Sequence, residues 1–344
     1  MVIAVDAMGG DNAPEAVVAG ALRAAPQVPG EVILVGPAER IEALLPPERS
    51  RPANLRVVDA PQVIGMGENA GRAARSKPDS SLAVAVNLVR DGVADAAVSA
   101  GNSGAFMFLA QVRLRNLPGL QRSAIAVPLP GPSGPRIMLD AGANMDCKPI
   151  HLAQFGLMGS VYAEYALGRA EPRVGLLSIG EEPSKGDELT RAAHKLLQAA
   201  PINFVGNVEG SDVLTGDCDV IVADGFAGNV VLKVAEGVAK WQYTLVQQEG
   251  RRDLRSRLGR LLLQPALRRV LGKLDHANYG GALLLGVQGI CIVGHGCSNA
   301  RAIENAILMA QRAAESNVLQ HLSEGLQRLA AAVGTEEQVS TQTA

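Results

Sequence analysis

The sequence is poor in aromatic residues, with five Phe, four Tyr and one Trp among 344 residues. So few rings cannot floor a groove on which successive bases of single-stranded nucleic acid stack. An excess of either charge is also missing. Lys and Arg number 32 and Asp and Glu 34, a formal net charge of −2, which argues against a general DNA or RNA binder. The four cysteines (Cys147, Cys218, Cys291, Cys297) form no C-x-x-C pair and have no His at zinc spacing. Isolated reduced thiols are the expectation for such spacing. No apolar run reaches the ~18–20 residues that span a bilayer. The chain opens on Val2-Ile3-Ala4-Val5, an apolar strand without a basic region before it, so no signal peptide is expected and the protein reads as cytoplasmic.

Three further absences narrow the chemistry. The first βαβ unit has no G-x-G-x-x-G, and Gly65-Met66-Gly67 followed by Glu68-Asn69-Ala70-Gly71 has the wrong spacing for a dinucleotide turn. There is no G-x-x-x-x-G-K-[ST] for a phosphate-binding P-loop. Carboxylates at i, i+3 with His, as a di-metal site needs, are also missing. Group transfer involving a small anion remains.

Glycine is abundant, at 38 residues, and the apolar fraction is 47% against 19% charged, the composition of a globular chain. Short β-branched runs at Val2–Val5, Val32–Val35, Leu55–Val58, Ala96–Ser99, Ile125–Pro128, Arg136–Leu139, Val174–Ser178, Asn203–Gly206, Val220–Ala223 and Ile290–Val293 read as strands. Most are continuously apolar, as strands buried on both faces are. Between them lie amphipathic patterns at Pro14–Ala25, Ser81–Asp91, Ala105–Asn116, Pro149–Leu167, Asp187–Ala199 and Asn299–Leu319. The alternation predicts an α/β fold, a mostly parallel sheet with helices on both faces. One domain over 1–334 and a polar, frayed tail over 335–344 are expected.

Six polar, Gly-rich segments follow strands. The first runs from Asp6 through Gly9, Gly10, Asp11 and Asn12 to Pro14, and either offers two carboxylates to a ligand or caps a helix through Asp11 or Asn12. The second, Ser99 to Ala105, contains Gly101, Asn102, Ser103 and Gly104. Amides at a helix start bind anions, and Asn102 and Ser103 add donors. Ser103 can also be read as a nucleophile with Asp224 and His295, or as part of a plain turn. The others are Leu139–Pro149 with Asn144 and Lys148, Ser178–Gly186 with Lys185, Ala223–Asn229 with Asp224 and Asn229, and Val293–Asn299 with His295. All six are expected to meet in one crevice at the carboxyl ends of the strands.

Residues 251–273 stand apart, with eight basic side chains and one acidic. Leu254, Leu258, Leu261 and Leu262 share one helical face, and Pro265 is expected to break the helix before Leu267, Val270, Leu271 and Leu274. Two short basic amphipathic helices in a protruding hairpin, about 236–276, are predicted.

Taken in order, the segments VDAMGGDNAP from Val5, RSKPDSS from Arg75, SAGNSGA from Ser99, LDAGANMDCKP from Leu139 and SIGEEPSKG from Ser178 resemble the bacterial phosphate acyltransferase family. NFVGNVEGSD from Asn203, VADGFAGNVVLK from Val222 and YGGALLLGVQG from Tyr279 complete the resemblance, which covers roughly residues 2–315. Gly294 and Ser211 depart from the family's usual Ser and frequent Arg, and Ser103 stands where Thr is frequent. The resemblance implies a phosphotransacetylase-like three-layer α/β/α sandwich, a homodimer, and transfer of an acyl group from acyl-acyl carrier protein to inorganic phosphate. Acyl-phosphate for phospholipid synthesis is the product, and neither metal nor cofactor is implied. An enzyme of the same fold using acyl-coenzyme A is the alternative.

Within that reading, phosphate is expected at Gly101, Asn102, Ser103 and Gly104 with Asp6, Gly9, Gly10 and Asp11 nearby and a cation from Lys148 or Lys185. Asn144 or Asn229 would donate to the oxyanion, and His295 or Asp224 would manage the proton of the departing thiol. His295 alternatively serves as a structural turn donor. Arg251, Arg255, Leu258, Leu261, Leu262, Arg268 and Arg269 would meet an acidic carrier protein or an anionic membrane surface, from which a membrane acylglycerol-phosphate acyltransferase collects the product. The same segment can instead form a dimer interface with solvated arginines. The localisation implied is cytoplasmic, peripheral to the inner face of the cell membrane.

Overall fold

Eleven strands of three to six residues pair into one sheet: β1 Val2–Asp6, β2 Glu31–Gly36, β3 Leu55–Asp59, β4 Ala96–Ser99, β5 Ala124–Leu129, β6 Arg136–Leu139, β7 Arg173–Leu177, β8 Asn203–Val208, β9 Val220–Val222, β10 Ala282–Leu285 and β11 Ile290–Val293. The helices are α1 Glu15–Ala24, α2 Ala38–Glu42, α3 Ala70–Ser76, α4 Ser81–Arg90, α5 Ser103–Leu114, α6 Pro149–Tyr165, α7 Glu188–Ala199, α8 Asp212–Thr215, α9 Gly225–Glu249, α10 Leu254–Leu274, α11 Ala300–Glu315 and α12 Val318–Gln342. The computed structural model describes residues 1–132, 134–274 and 276–342, and leaves the side chains of 254, 268–276 and 333–344 outside that description. Arg268 and Arg269 therefore fall outside the described side chains.

Burial alternates along the strands. In β1, Ile3 and Val5 pack with α1, α6, α7, α11 and α12 on one face, while Ala4 turns to the other. In β10, Leu283 and Leu285 face the first layer and Leu284 faces α3, α4 and α5. Period-two side chains that are apolar on both faces demand helices on both faces. The result is the α/β/α sandwich.

Strand order is β3-β2-β1-β4-β11-β10-β5-β6-β9-β7-β8. The first five strands are mutually parallel, and so are the last four. Between them lie three antiparallel steps, β11 with β10, β10 with β5, and β5 with β6. Three reversals leave the two parallel halves pointing in opposite directions. Loops after β1, β4 and β11 thus run one way along the sheet, and loops after β6, β7 and β9 run the opposite way. The register of β11, β10, β5 and β6 brings the two sets out at the same height along β5.

Two helical expectations also change. Pro265 lies inside α10, which continues through it as one helix, so the basic segment is not two short helices. Proline removes only its own bond to the carbonyl four residues earlier, at ~3 kcal/mol, and does not oblige the helix to stop. The pattern read over 299–319 is instead two helices, parted at Asn317, whose φ is +51°. Asn tolerates that left-handed geometry better than most residues. Helix α12 runs on to Gln342, through the expected tail. Among the described residues no helix is long and apolar enough to cross a membrane.

Candidate active site

The loops after β1, β4 and β11 interlock through their main chains. Asp11 N–H donates to the Gly296 carbonyl at 2.8 Å, and Gly294 N–H to the Ser99 carbonyl at 2.8 Å. The Asn12 amide donates to the carbonyls of Cys297 and Ser298. Helix α1 begins after Pro14 with no side-chain cap, so Asp11 and Asn12 tie loops together and do not cap it. Gly9 is required by close approach, since a Cβ there would stand 2.7 Å from Asp6 Oδ2, Ser99 Oγ and Gly101 N. Gly10 adopts φ +109°, which favours glycine.

Asp6 is a brace and not a ligand, which corrects its expected place in the phosphate site. It is 3% exposed. Its carboxyl accepts from Ser99 Oγ at 2.7 Å and from the Met8 amide, while Ser99 Oγ accepts from Gly101 N–H. Burial pushes its pKa up, against the hydrogen bonds that favour the anion.

Helix α5 starts at the junction of these loops. Asn102 is its N-cap, accepting from Ala105 N–H at 3.0 Å. The same side chain donates to the carbonyls of Gly65, Met66 and Glu68. Its amide hydrogens are committed to clasping the 65–68 loop, so Asn102 is not a side-chain donor to phosphate. What the helix start offers an anion is its dipole, the Ser103 hydroxyl, and the amides of Ser103 and Gly104, which donate to no acceptor among the described residues. Both residues are exposed. Helix α3 packs beside α5 and brings Arg72 and Arg75 with it, the Arg75 guanidinium standing 5.0 Å from the Phe108 ring.

Gly294 and His295 connect this helix start to a cavity of about 230 Å³. Its walls are apolar, including Val127, Leu129, Leu232, Ala239, Tyr279 and Val293, while the Lys233–Glu236 ion pair and His295 supply its polar groups. His295 Nδ1 accepts from the Cys297 amide at 3.3 Å and lies 3.1 Å from Cys297 Sγ. An Nδ1 that accepts leaves the proton of the neutral ring on Nε2.

The loops after β6 and β9 hold a second cluster. Asp140 is fully buried, and its carboxylate accepts from the amides of Ile125, Ala143 and Asn144 and from Asn144 Nδ2. Asn144 Nδ2 also donates to the Ser123 carbonyl, so both its hydrogens are used and its expected role as oxyanion donor is corrected. Asp224 caps α9, one oxygen accepting from the amides of Phe226 and Ala227. Gly228 packs so tightly on the Asp140 carbonyl that a side chain there would collide with it. Asn229 sits across from Gly142, and its side chain has no hydrogen bond among the described residues. The Cys147 thiol is pushed up to about 11, chiefly by burial, and is no nucleophile near neutrality.

Several predicted partners are therefore separate. The stretch of α9 that shares a cavity with His295 begins at Leu232, eight residues and about 12 Å beyond Asp224. A Ser103–Asp224–His295 triad is not assembled. Lys148 and Lys185 are exposed on the loops that follow β6 and β7. The carboxyl ends of β11 and β6 lie at nearly the same height along β5, three strand spacings or roughly 14 Å apart across the sheet. One buried cluster joins them across the face, uniting Ala141 with Phe106 and Leu109 of α5 and with Ala282 and Val293.

A model of the family described as fatty acid synthesis protein matches residues 1–321. The chain belongs to that family. It is 50% identical over 323 residues to a phosphate acyltransferase of Synechococcus elongatus, covering 93% of each chain. The phosphate acyltransferase of Syntrophotalea carbinolica is 48% identical over 318 residues, covering 92% of each. A phosphotransacetylase from Streptococcus pyogenes has the same fold, with TM-score 0.62 over 92% of this chain and 94% of that one at 18% identity. EutD phosphotransacetylase from Staphylococcus aureus gives 0.58 at 17% identity, covering 92% and 94%.

In this family member, sequence reasoning passed over Arg75, the Asn102 clasp and the apolar cavity. The RSKPDSS segment was the available signal for Arg75. The clasp had none, because Asn before a helix reads as a cap and nothing more.

Proposed function

We propose that this chain transfers a fatty acyl group from acyl-acyl carrier protein to inorganic phosphate, giving acyl-phosphate for phospholipid synthesis. Relatives across nearly the whole chain are named phosphate acyltransferases. The observation that carries the reading is contiguity: an open helix start suited to an anion and an apolar cavity share the Gly294–His295 turn.

In this reading phosphate lies at the first turn of α5, against the amides of Ser103 and Gly104 and the Ser103 hydroxyl. The acyl chain enters the cavity with its thioester carbonyl at His295. A phosphate oxygen attacks that carbonyl carbon, the new C–O bond forms, and the tetrahedral intermediate expels the thiolate with the C–S electron pair. Nε2–H of His295 donates to the oxyanion, a contribution of the order of 3–4 kcal/mol for one such donor. Holding phosphate and thioester together supplies up to ~7–11 kcal/mol more. Ser103 donates a hydrogen bond and forms no acyl-enzyme.

Helices α9 and α10 support the partners. Leu258, Leu261, Leu262 and Leu263 are exposed, Leu262 by 73%, beside exposed Arg251 and Arg255. Such a surface suits an anionic bilayer and the acidic carrier protein, and a peripheral location lets the lipophilic product pass to a membrane acylglycerol-phosphate acyltransferase. On α9, Phe226, Val230, Val234, Val238 and Trp241 form an exposed apolar stripe, which supports a homodimer.

The test is to incubate the protein with phosphate and either palmitoyl-acyl carrier protein or palmitoyl-coenzyme A, and to measure acyl-phosphate. Product from the carrier-protein thioester is expected. Product from the coenzyme A thioester alone would replace the donor, and none from either would overturn the reading.

A further inference from the structure

The cavity beside His295 has a neighbour. Pro128 and Tyr279 line both it and a second cavity of about 110 Å³, whose walls include Ile137, Tyr162, Leu167 and Met309. These walls are mostly apolar, with Asn278 and Arg312 as the polar exceptions. Pro128 is held in β5, opposite Ile137 of β6. Tyr279 is half-buried in the segment before β10. The main chain beside it is fixed, because Gly280 at φ +84° packs directly on the backbone of Asn305 and Ala306 in α11. Of the two dividers, Tyr279 alone lies outside the strands, so its ring is the one a substitution can remove without disturbing a strand pairing.

We infer that Tyr279 sets the length of acyl chain the enzyme accepts: its ring closes the far end of the cavity beside His295, and only its displacement admits further methylenes into the second cavity. The inference rests on the proposal that the acyl chain occupies the first cavity. Each methylene buried is worth a factor of about four in affinity. Three or more carbons admitted past the ring therefore change selectivity by well over tenfold.

The measurement is kcat/KM for dodecanoyl-, hexadecanoyl- and octadecanoyl-acyl carrier protein. Tyr279→Ala should raise the octadecanoyl-to-dodecanoyl ratio at least tenfold while KM for phosphate holds. Tyr279→Phe, which keeps the ring, should retain the wild-type ratio. Adding Ala166→Phe, which fills the second cavity from the half-buried end of α6, should take away the gain of Tyr279→Ala. An unchanged ratio in folded Tyr279→Ala, or a gain that survives Ala166→Phe, would overturn the inference. Wild-type protein that makes no acyl-phosphate from any thioester would instead sink the proposed function.

Discussion

Asn102 performs two tasks that substitution can separate. Its side-chain oxygen caps α5 through Ala105 N–H, and its amide holds the carbonyls of Gly65, Met66 and Glu68. Asn102→Ala removes both. The cap is worth ~1 kcal/mol. The amide has two hydrogens, so the clasp is worth about two ordinary hydrogen bonds, ~2 kcal/mol together. A chain of this length loses roughly 1.5 °C per kcal/mol, so thermal unfolding should move down by ~4–5 °C. Asn102→Asp keeps the cap but sets a carboxylate at the helix start. At about 5 Å and an effective dielectric near 20, unit charges repel by ~3 kcal/mol, which solvent and salt reduce to roughly one to two orders of magnitude in affinity. Phosphate titrations at saturating acyl donor should therefore give a KM raised ~10–100-fold for Asn102→Asp, and much less for Asn102→Ala. An equal KM in the two folded variants would refute phosphate binding at the α5 start, since a carboxylate placed beside a bound phosphate must weaken it.

Ser103→Ala should raise KM for phosphate several-fold and leave partial turnover, with sequential kinetics; a trapped acyl adduct on Ser103 would contradict direct attack. Asp140→Asn replaces one acceptor oxygen with a donor facing backbone N–H groups, and should cost about 3–5 kcal/mol, visible as a fall of ~5–7 °C in calorimetry. An unperturbed melting temperature would show that the loop does not depend on this carboxylate. Replacing Leu258, Leu261 and Leu262 by Ser should release the protein from anionic vesicles even at low salt, and wild-type binding should fall steeply as salt rises. Equal sedimentation of mutant and wild type with vesicles would refute membrane docking through α10.

The sheet was legible in the sequence strand by strand, because runs such as Val32–Val35 and Ala96–Ser99 are apolar on both faces. Strand β10 escaped. Its Ala282-Leu283-Leu284-Leu285, between glycines, suits a buried helix turn as well as a strand. Direction escaped too, since an apolar run reads the same in a parallel or an antiparallel neighbour. That is why Asp224 and His295 looked like partners. The polar loops were recognised as segments, yet the tasks of Asn102 and Asn144 depend on carbonyls 34 to 37 and 21 residues away, which no local pattern encodes. The cavity depends on Val127, Leu232, Tyr279 and Val293, residues of separate segments that only folding brings together.

The reversal of the sheet is a matter of parity. Two antiparallel steps at its centre would send every loop off in one direction; three send them in two. Point substitutions in the loops can tune affinity in either set but cannot reverse a set's direction, because that requires a strand to be gained or lost. Any ligand that uses both must be long enough to lie across the β10 and β5 strands, as an extended thioester arm is and a bare phosphate is not. The topology thus lets a small ligand meet one set of loops and an extended ligand meet both, and that division persists however far the surface residues drift.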